Sequence, residues 1–151
     1  MRRGALIGAA AVAVALAGCG GGGGGARLSK SKYLSQGDGL CLAQRSADQS
    51  IGATRDVKAL AAKGDELLKS DRDALARFTQ LKPPSDLQGK VDAYVKLLRS
   101  SLDREADLVD AAKKGDVARL RKVILEIQKV RPQLAAAAHA IGFQVCSQSG
   151  G

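Results

Sequence analysis

Residues 87–116 read LQGKVDAYVKLLRSSLDREADLVDAAKKGD, and their spacing decides the fold. Leu87, Val91, Tyr94, Leu98, Leu102, Leu108, Val109 and Ala112 return every three or four positions, with Ser101 and Glu105 breaking the stripe. That is the period of one helix face, whereas a strand would alternate. The run has clear limits. Leu81-Lys82-Pro83-Pro84 precedes it, and a proline disfavours helix in the residue before it. Ser85 is placed to cap the helix, and Gly115-Asp116 makes a tight turn at its end. The reading is a helix over 85–113.

The same period extends both ways. Val117, Leu120, Ile124, Ile127, Leu134, Ala137, Ala138 and Ile141 predict a helix over 116–142. Val57, Leu60, Ala61, Gly64, Leu67, Leu68, Asp71, Leu75 and Phe78 predict one over 54–81, with Thr54 as its cap. A weaker stripe of Tyr33, Leu34, Leu40, Cys41, Gln44, Ala47 and Ile51 predicts a first helix over 30–50. Gly64-Asp65 could split the second helix, and Pro132 should kink the fourth near residues 128–130. Short connections make consecutive helices antiparallel, so the fold class is all-α, an up-down four-helix bundle. An aromatic content of 3% also argues against a sandwich or barrel.

Ahead of the bundle, Met1-Arg2-Arg3 is followed by an apolar run from Gly4 to Ala17. The run is too short to span a bilayer, which takes about 20 residues, but it has the length of a secretory core. It ends in Leu16-Ala17-Gly18-Cys19, which resembles the bacterial lipobox. The resemblance implies a diacylglyceryl thioether on Cys19, cleavage before it, and a new amino group open to acylation such as palmitoylation. Arg2-Arg3 alone is a weak hint of twin-arginine export. Residues 1–18 are then a signal peptide, and residues 19–29 are the lipidated Cys19 with a tether rich in glycine. Gly20 to Gly25 would span roughly 13 Å as a flexible coil. Loss of Arg2 and Arg3 lowers the formal charge from +9 to +7. Residues 30–147 form the bundle domain and 148–151 a disordered tail. The expected location is the extracytoplasmic face of the cell membrane.

Two cysteines remain, Cys41 and Cys146. Disulfides persist outside the cytoplasm, and one pair allows one connectivity, Cys41–Cys146. Cys41 lies mid-helix, so helix order alone does not bring the two together. A left-handed cap at Gly142 would let Phe143 and Val145 fold back and carry Cys146 to the first helix. A metal site from the two thiols and His139 lacks the close spacing such sites use.

The chain also resembles a group of small, largely uncharacterised actinobacterial lipoproteins and secreted proteins. The resemblance rests on Tyr33 followed by Asp38-Gly39-Leu40-Cys41, on Leu81-Lys82-Pro83-Pro84, on the turn Ala112-Lys113-Lys114-Gly115-Asp116, and on Ala138, Gly142-Phe143 and Cys146. It implies a disulfide-linked helical bundle and no particular chemistry.

Catalytic and cofactor chemistry find little support. The single His139 has no nucleophile or carboxylate spaced to work with it. Haem needs axial His or Met ligands, and the only Met is Met1. Diiron bundles need Glu-x-x-His, and Ala136 stands where the Glu should be. We expect no catalytic residue, metal or cofactor. The acid-rich stretch Asp103 to Asp110 reads as a solvated face, with Arg99–Asp103 and Arg104–Asp107 pairs. Asp71 and Glu105 interrupt apolar stripes and are candidates for a buried pair with Lys or Arg.

The basic excess points to partners. Arg27, Lys30 and Lys32 follow the tether and would lie against anionic head groups. Arg119, Arg121, Lys122, Lys129 and Arg131 crowd the fourth helix and suit an anionic lipid, an envelope polymer or an acidic protein. Nucleic acid is not expected outside the cell. The expected function is a non-catalytic, lipid-anchored binding or accessory module of the cell envelope. The alternative is a carrier or sensor of a small apolar ligand held between helices, with Ala61, Gly64 and the Ala135–Ala138 run leaving room for it.

Overall fold

The computed structural model describes residues 26–53 and 56–148. The signal peptide, Leu16, Ala17, Gly18, Cys19, the glycine tether, Thr54 and residues 149–151 lie outside the described residues. The fold is an all-α, up-down bundle of four helices: α1 (Lys30–Ile51), α2 (Val57–Gln80), α3 (Gln88–Lys114) and α4 (Val117–Ile141). Short 3-10 turns cover Ser85–Leu87 and Cys146–Gln148, so Gln148 belongs to an ordered turn and not to a tail.

The helix starts follow ordinary capping chemistry. The side chains of Ser29, Asp56 and Asp116 accept from the amides of Lys32, Ala59 and Arg119. Two boundaries correct the sequence reading. Asp56 caps α2, which therefore begins at Val57. Ser85 opens the 3-10 turn instead of capping α3, which has no side-chain cap. The physical reason is the Pro83-Pro84 pair, which delivers the chain extended, at φ −54° and ψ 151° for Pro84. One tight turn is then needed before the α-helical ladder can begin. Gly64-Asp65 does not split α2, and α4 runs unbroken through Pro132.

Successive helices pack against one another, and α1 is linked to α4 through the segment after Gly142. Gly142 takes φ 109°, a left-handed conformation that favours glycine, and its amide donates to the Ala138 and His139 carbonyls. The chain turns back as expected and brings Cys146 to Cys41, with Cα atoms 5.3 Å apart and the sulfurs bonded.

The core has two parts. One is aromatic and lies at the tether end: Tyr33, Phe78, Tyr94 and Phe143 meet with ring centroids 5.7–6.3 Å apart, packed with Leu87, Val91, Ala138 and Ile141. Such edge and tilted pairs add roughly 0.5–1.5 kcal/mol each beyond area burial. The other part is aliphatic and lies at the far end: Leu60, Leu68, Val109, Ala111, Ala112 and Leu120. Among the described residues, no helix is long and apolar enough to cross a membrane.

Candidate functional site

Between the two cores, three helices contribute polar groups to one seam. From α1 come Gln44 and Asp48, from α2 Ser70 and Asp71, and from α3 Ser101 and Glu105. The Gln44 amide Nε2 donates to Asp48 Oδ1 and Asp71 Oδ1, both at 2.7 Å, and to Ser70 Oγ at 3.1 Å. Ser101 Oγ donates to Glu105 Oε1 at 3.1 Å, and Asp71 and Glu105 are hydrogen-bonded to each other. This corrects the sequence reading. The partner of Asp71 and Glu105 is not a Lys or Arg; the two acids pair with each other, and a neutral amide bridges Asp71 to α1. Burial pushes the Asp71 carboxyl up to about 8, and the charges of Glu105 and Asp48 push the same way. Burial also raises Glu105, against the hydrogen bonds from Ser101 and Asp71. Asp48 is raised by burial as well, against its bond from Gln44. Two carboxyls in contact within one seam cannot both ionise cheaply, so the pair holds one proton between them.

A second polar device holds the C-terminal segment. The Asp38 carboxylate accepts from the backbone amides of Gln144, Val145 and Cys146 at 2.9, 2.8 and 3.1 Å. Arg45 donates to the Val145 carbonyl at 3.2 Å. Asp38 is therefore structural. Its proximity to Cys41 in the sequence marked the motif, but nothing local revealed that its partners lie more than a hundred residues away.

The basic residues separate into engaged and free. Arg119 bridges to Asp107 and Asp110 on α3, which corrects its assignment as a partner-binding residue. It also shows Asp107 bonded across helices and not to Arg104, which turns back to Ser100. Among the described residues, no ion pair joins Arg99 to Asp103. Arg121, Lys122, Lys129 and Arg131 are exposed and make no side-chain hydrogen bond or ion pair among the described residues. Beside them on α4 stand the exposed Leu125 and Ile124, at 57% and 41%. At the tether end Lys30 and Lys32 are exposed. Arg27 instead donates to the Pro83 carbonyl and to Gln88 Oε1, both at 2.8 Å, while the Leu28 amide donates to the Lys82 carbonyl at 2.9 Å. The chain thus leaves its leash pinned to the α2–α3 loop.

The remaining features add no reactive group. His139 is exposed and makes no side-chain hydrogen bond among the described residues. Cys41 and Cys146 are bonded to each other, which overturns the thiol–His139 metal alternative. Among the described residues, no group of three His, Cys, Asp or Glu is placed to hold a metal ion. Of the small residues that could leave room for a ligand, Gly64 and Ala138 serve close packing, while Ala136 is exposed. A Cβ at Gly64 would stand 2.6 Å from both Val109 methyls, and Ala138 is fully buried in the aromatic core. An open cleft of about 530 Å³ lies beside Arg27, over Phe78, Val91 and Val95. Comparisons with protein-family models, with curated proteins and with solved structures find no match.

Proposed function

We propose that the protein is a non-catalytic accessory module, held by a lipid on Cys19 at the outer face of the cell membrane, that presents the exposed side of α4 to an anionic envelope component. The observation that carries this reading is that Arg121, Lys122, Lys129 and Arg131, around Leu125 and Ile124, have no partner among the described residues. Cations that served the fold would be paired as Arg119 is. Apolar side chains set among free cations form the mixture that recognition faces use. The position of this face is consistent with the anchor. Arg27 and Leu28 bind the α2–α3 loop, and α4 starts at the opposite end of the bundle and runs back for about 37 Å at 1.5 Å per residue, so its first turns lie far from that loop.

The test has two arms on the full-length chain in cells. The wild type should fractionate with membranes and stay there in high salt, and Cys19→Ala should release it; retention of the variant would overturn the anchor. A photoreactive residue at Leu125 should crosslink to an envelope component. That product should fade when Arg121, Lys122, Lys129 and Arg131 are changed to Gln; unchanged crosslinking would overturn the α4 assignment.

A further inference from the structure

We propose that the cleft beside Arg27 seats the head group of an anionic phospholipid from the membrane to which the protein is tethered. The proposal deepens the anchored reading above, on which it rests for the source of the lipid.

The cleft lies between the end of α2 and the start of α3. Its apolar floor is Phe78, Val91 and Val95, and three cations, Arg27, Lys82 and Arg99, line it. Against them stands one acid, Asp92, which already accepts from Gln88 Nε2 at 2.9 Å. None of the three cations has an ion-pair partner among the described residues. Arg27 is the best positioned. One of its terminal nitrogens makes both bonds that fix it to Pro83 and Gln88, so the rest of the guanidinium is held in place with donors free. A planar fork of this kind matches phosphate oxygens. An apolar floor under a cationic rim fits a ligand whose charge and hydrocarbon are joined, so charge complementarity selects a phospholipid.

The chain path selects the same occupant. Arg27 is eight residues after Cys19, and six of those between are glycine. A flexible coil of this length spans about 13–16 Å, so a lipid on Cys19 would keep the cleft within reach of the head groups. The open face of the cleft also suits a head group that remains part of the bilayer, whereas a carrier would enclose its cargo.

The experiment uses the mature chain, residues 19–151, with Cys19→Ser so that no acyl chain assists, and phosphatidylcholine vesicles with and without phosphatidylglycerol. The chain should bind only the phosphatidylglycerol vesicles. Near a charged surface each lost cation should weaken binding roughly fivefold. Arg27→Gln/Arg99→Gln should therefore weaken it about twenty- to thirtyfold, while the charge-matched Arg121→Gln/Lys122→Gln changes it about twofold or less. Arg99 makes no side-chain hydrogen bond or ion pair among the described residues, so Arg99→Gln alone reads the cleft if loss of Arg27 loosens the loop. Equal loss from both double variants would overturn the proposal in favour of general charge attraction. Absence of vesicle binding would overturn it outright, and full competition by inorganic phosphate would overturn it in favour of a soluble anion. The Cys19→Ala fractionation fails or succeeds separately, so loss of the anchor reading and loss of the cleft remain distinguishable.

Discussion

Gly37 and Gly39 lie two positions apart in α1, and the surroundings of their missing side chains differ completely. A Cβ on Gly37 would collide with the Phe143 ring, whose Cζ is 2.7 Å from that position and whose Cε1 is nearer still; around Gly39 nothing lies within 4 Å. Phe143 is fully buried among three other aromatic rings and has nowhere to move. Gly37→Ala should therefore destabilise the protein by about 1–3 kcal/mol through overpacking. Gly39→Ala should stabilise it by up to about 1 kcal/mol, because a helix-interior glycine there gains only propensity. Urea unfolding of the two variants checks the opposite signs. Both glycines are plain in the sequence, and neither discloses which one faces Phe143, because the contact joins residues more than a hundred positions apart. The same limit hid the role of Asp38. By contrast the cap at Gly142 was legible, because glycine after an apolar stripe and before a turn-back has few other uses.

At the scale of the elements, the seam of α1, α2 and α3 makes stability depend on pH in an unusual direction. An exposed Asp titrates near 4, while the folded state holds the Asp71 proton up to about 8. Between those values the folded protein keeps a proton that the unfolded chain has released, so stability falls as pH rises through that window. Asp71→Asn keeps an acceptor for Gln44 and a donor for Glu105 without the charge. It should raise the melting temperature at pH 8.5 and flatten its dependence between pH 5 and 8.5; a variant with the wild-type slope would remove Asp71 as the cause. The sequence marked Asp71 and Glu105 because they broke apolar stripes, and this was a true signal. Their partner was not legible, because the register between helices is set by packing on both sides of the seam. Gln44 in a weak stripe gave no sign that it would reach α2. The helices themselves were almost fully legible, since their periods and breakers are local; the entries to α2 and α3 were misread, where Asp56 caps α2 and two prolines impose a 3-10 turn before α3.

At the scale of the whole molecule, one covalent bond ties the segment after Gly142 to the middle of α1, closing a loop with a sequence separation of 105. The loop-entropy model gives about 4–5 kcal/mol for such a ring. That is a large share of the 5–15 kcal/mol typical of a domain. Reduction should therefore lower the urea midpoint sharply, and unfolding with and without reductant measures it; coincident curves would show that Asp38 and the aromatic core hold the segment unaided. The bridge also determines how the molecule carries force. If the chain is pulled between a membrane anchor at Cys19 and its carboxyl end, tension passes from Cys41 directly to Cys146 and bypasses most of α2, α3 and α4. Only the stretches outside the ring can lengthen. At about 3.3–3.6 Å per residue, the roughly 22 residues before Cys41 yield near 75 Å, where an unbridged chain would add several hundred. The first contacts under load are the Arg27 and Leu28 bonds to the α2–α3 loop, followed by the N-terminal half of α1, so the pull reaches Tyr33 and its aromatic neighbours while the polar seam and the outer side of α4 stay unloaded. The bridged bundle thus behaves as a short, nearly inextensible link.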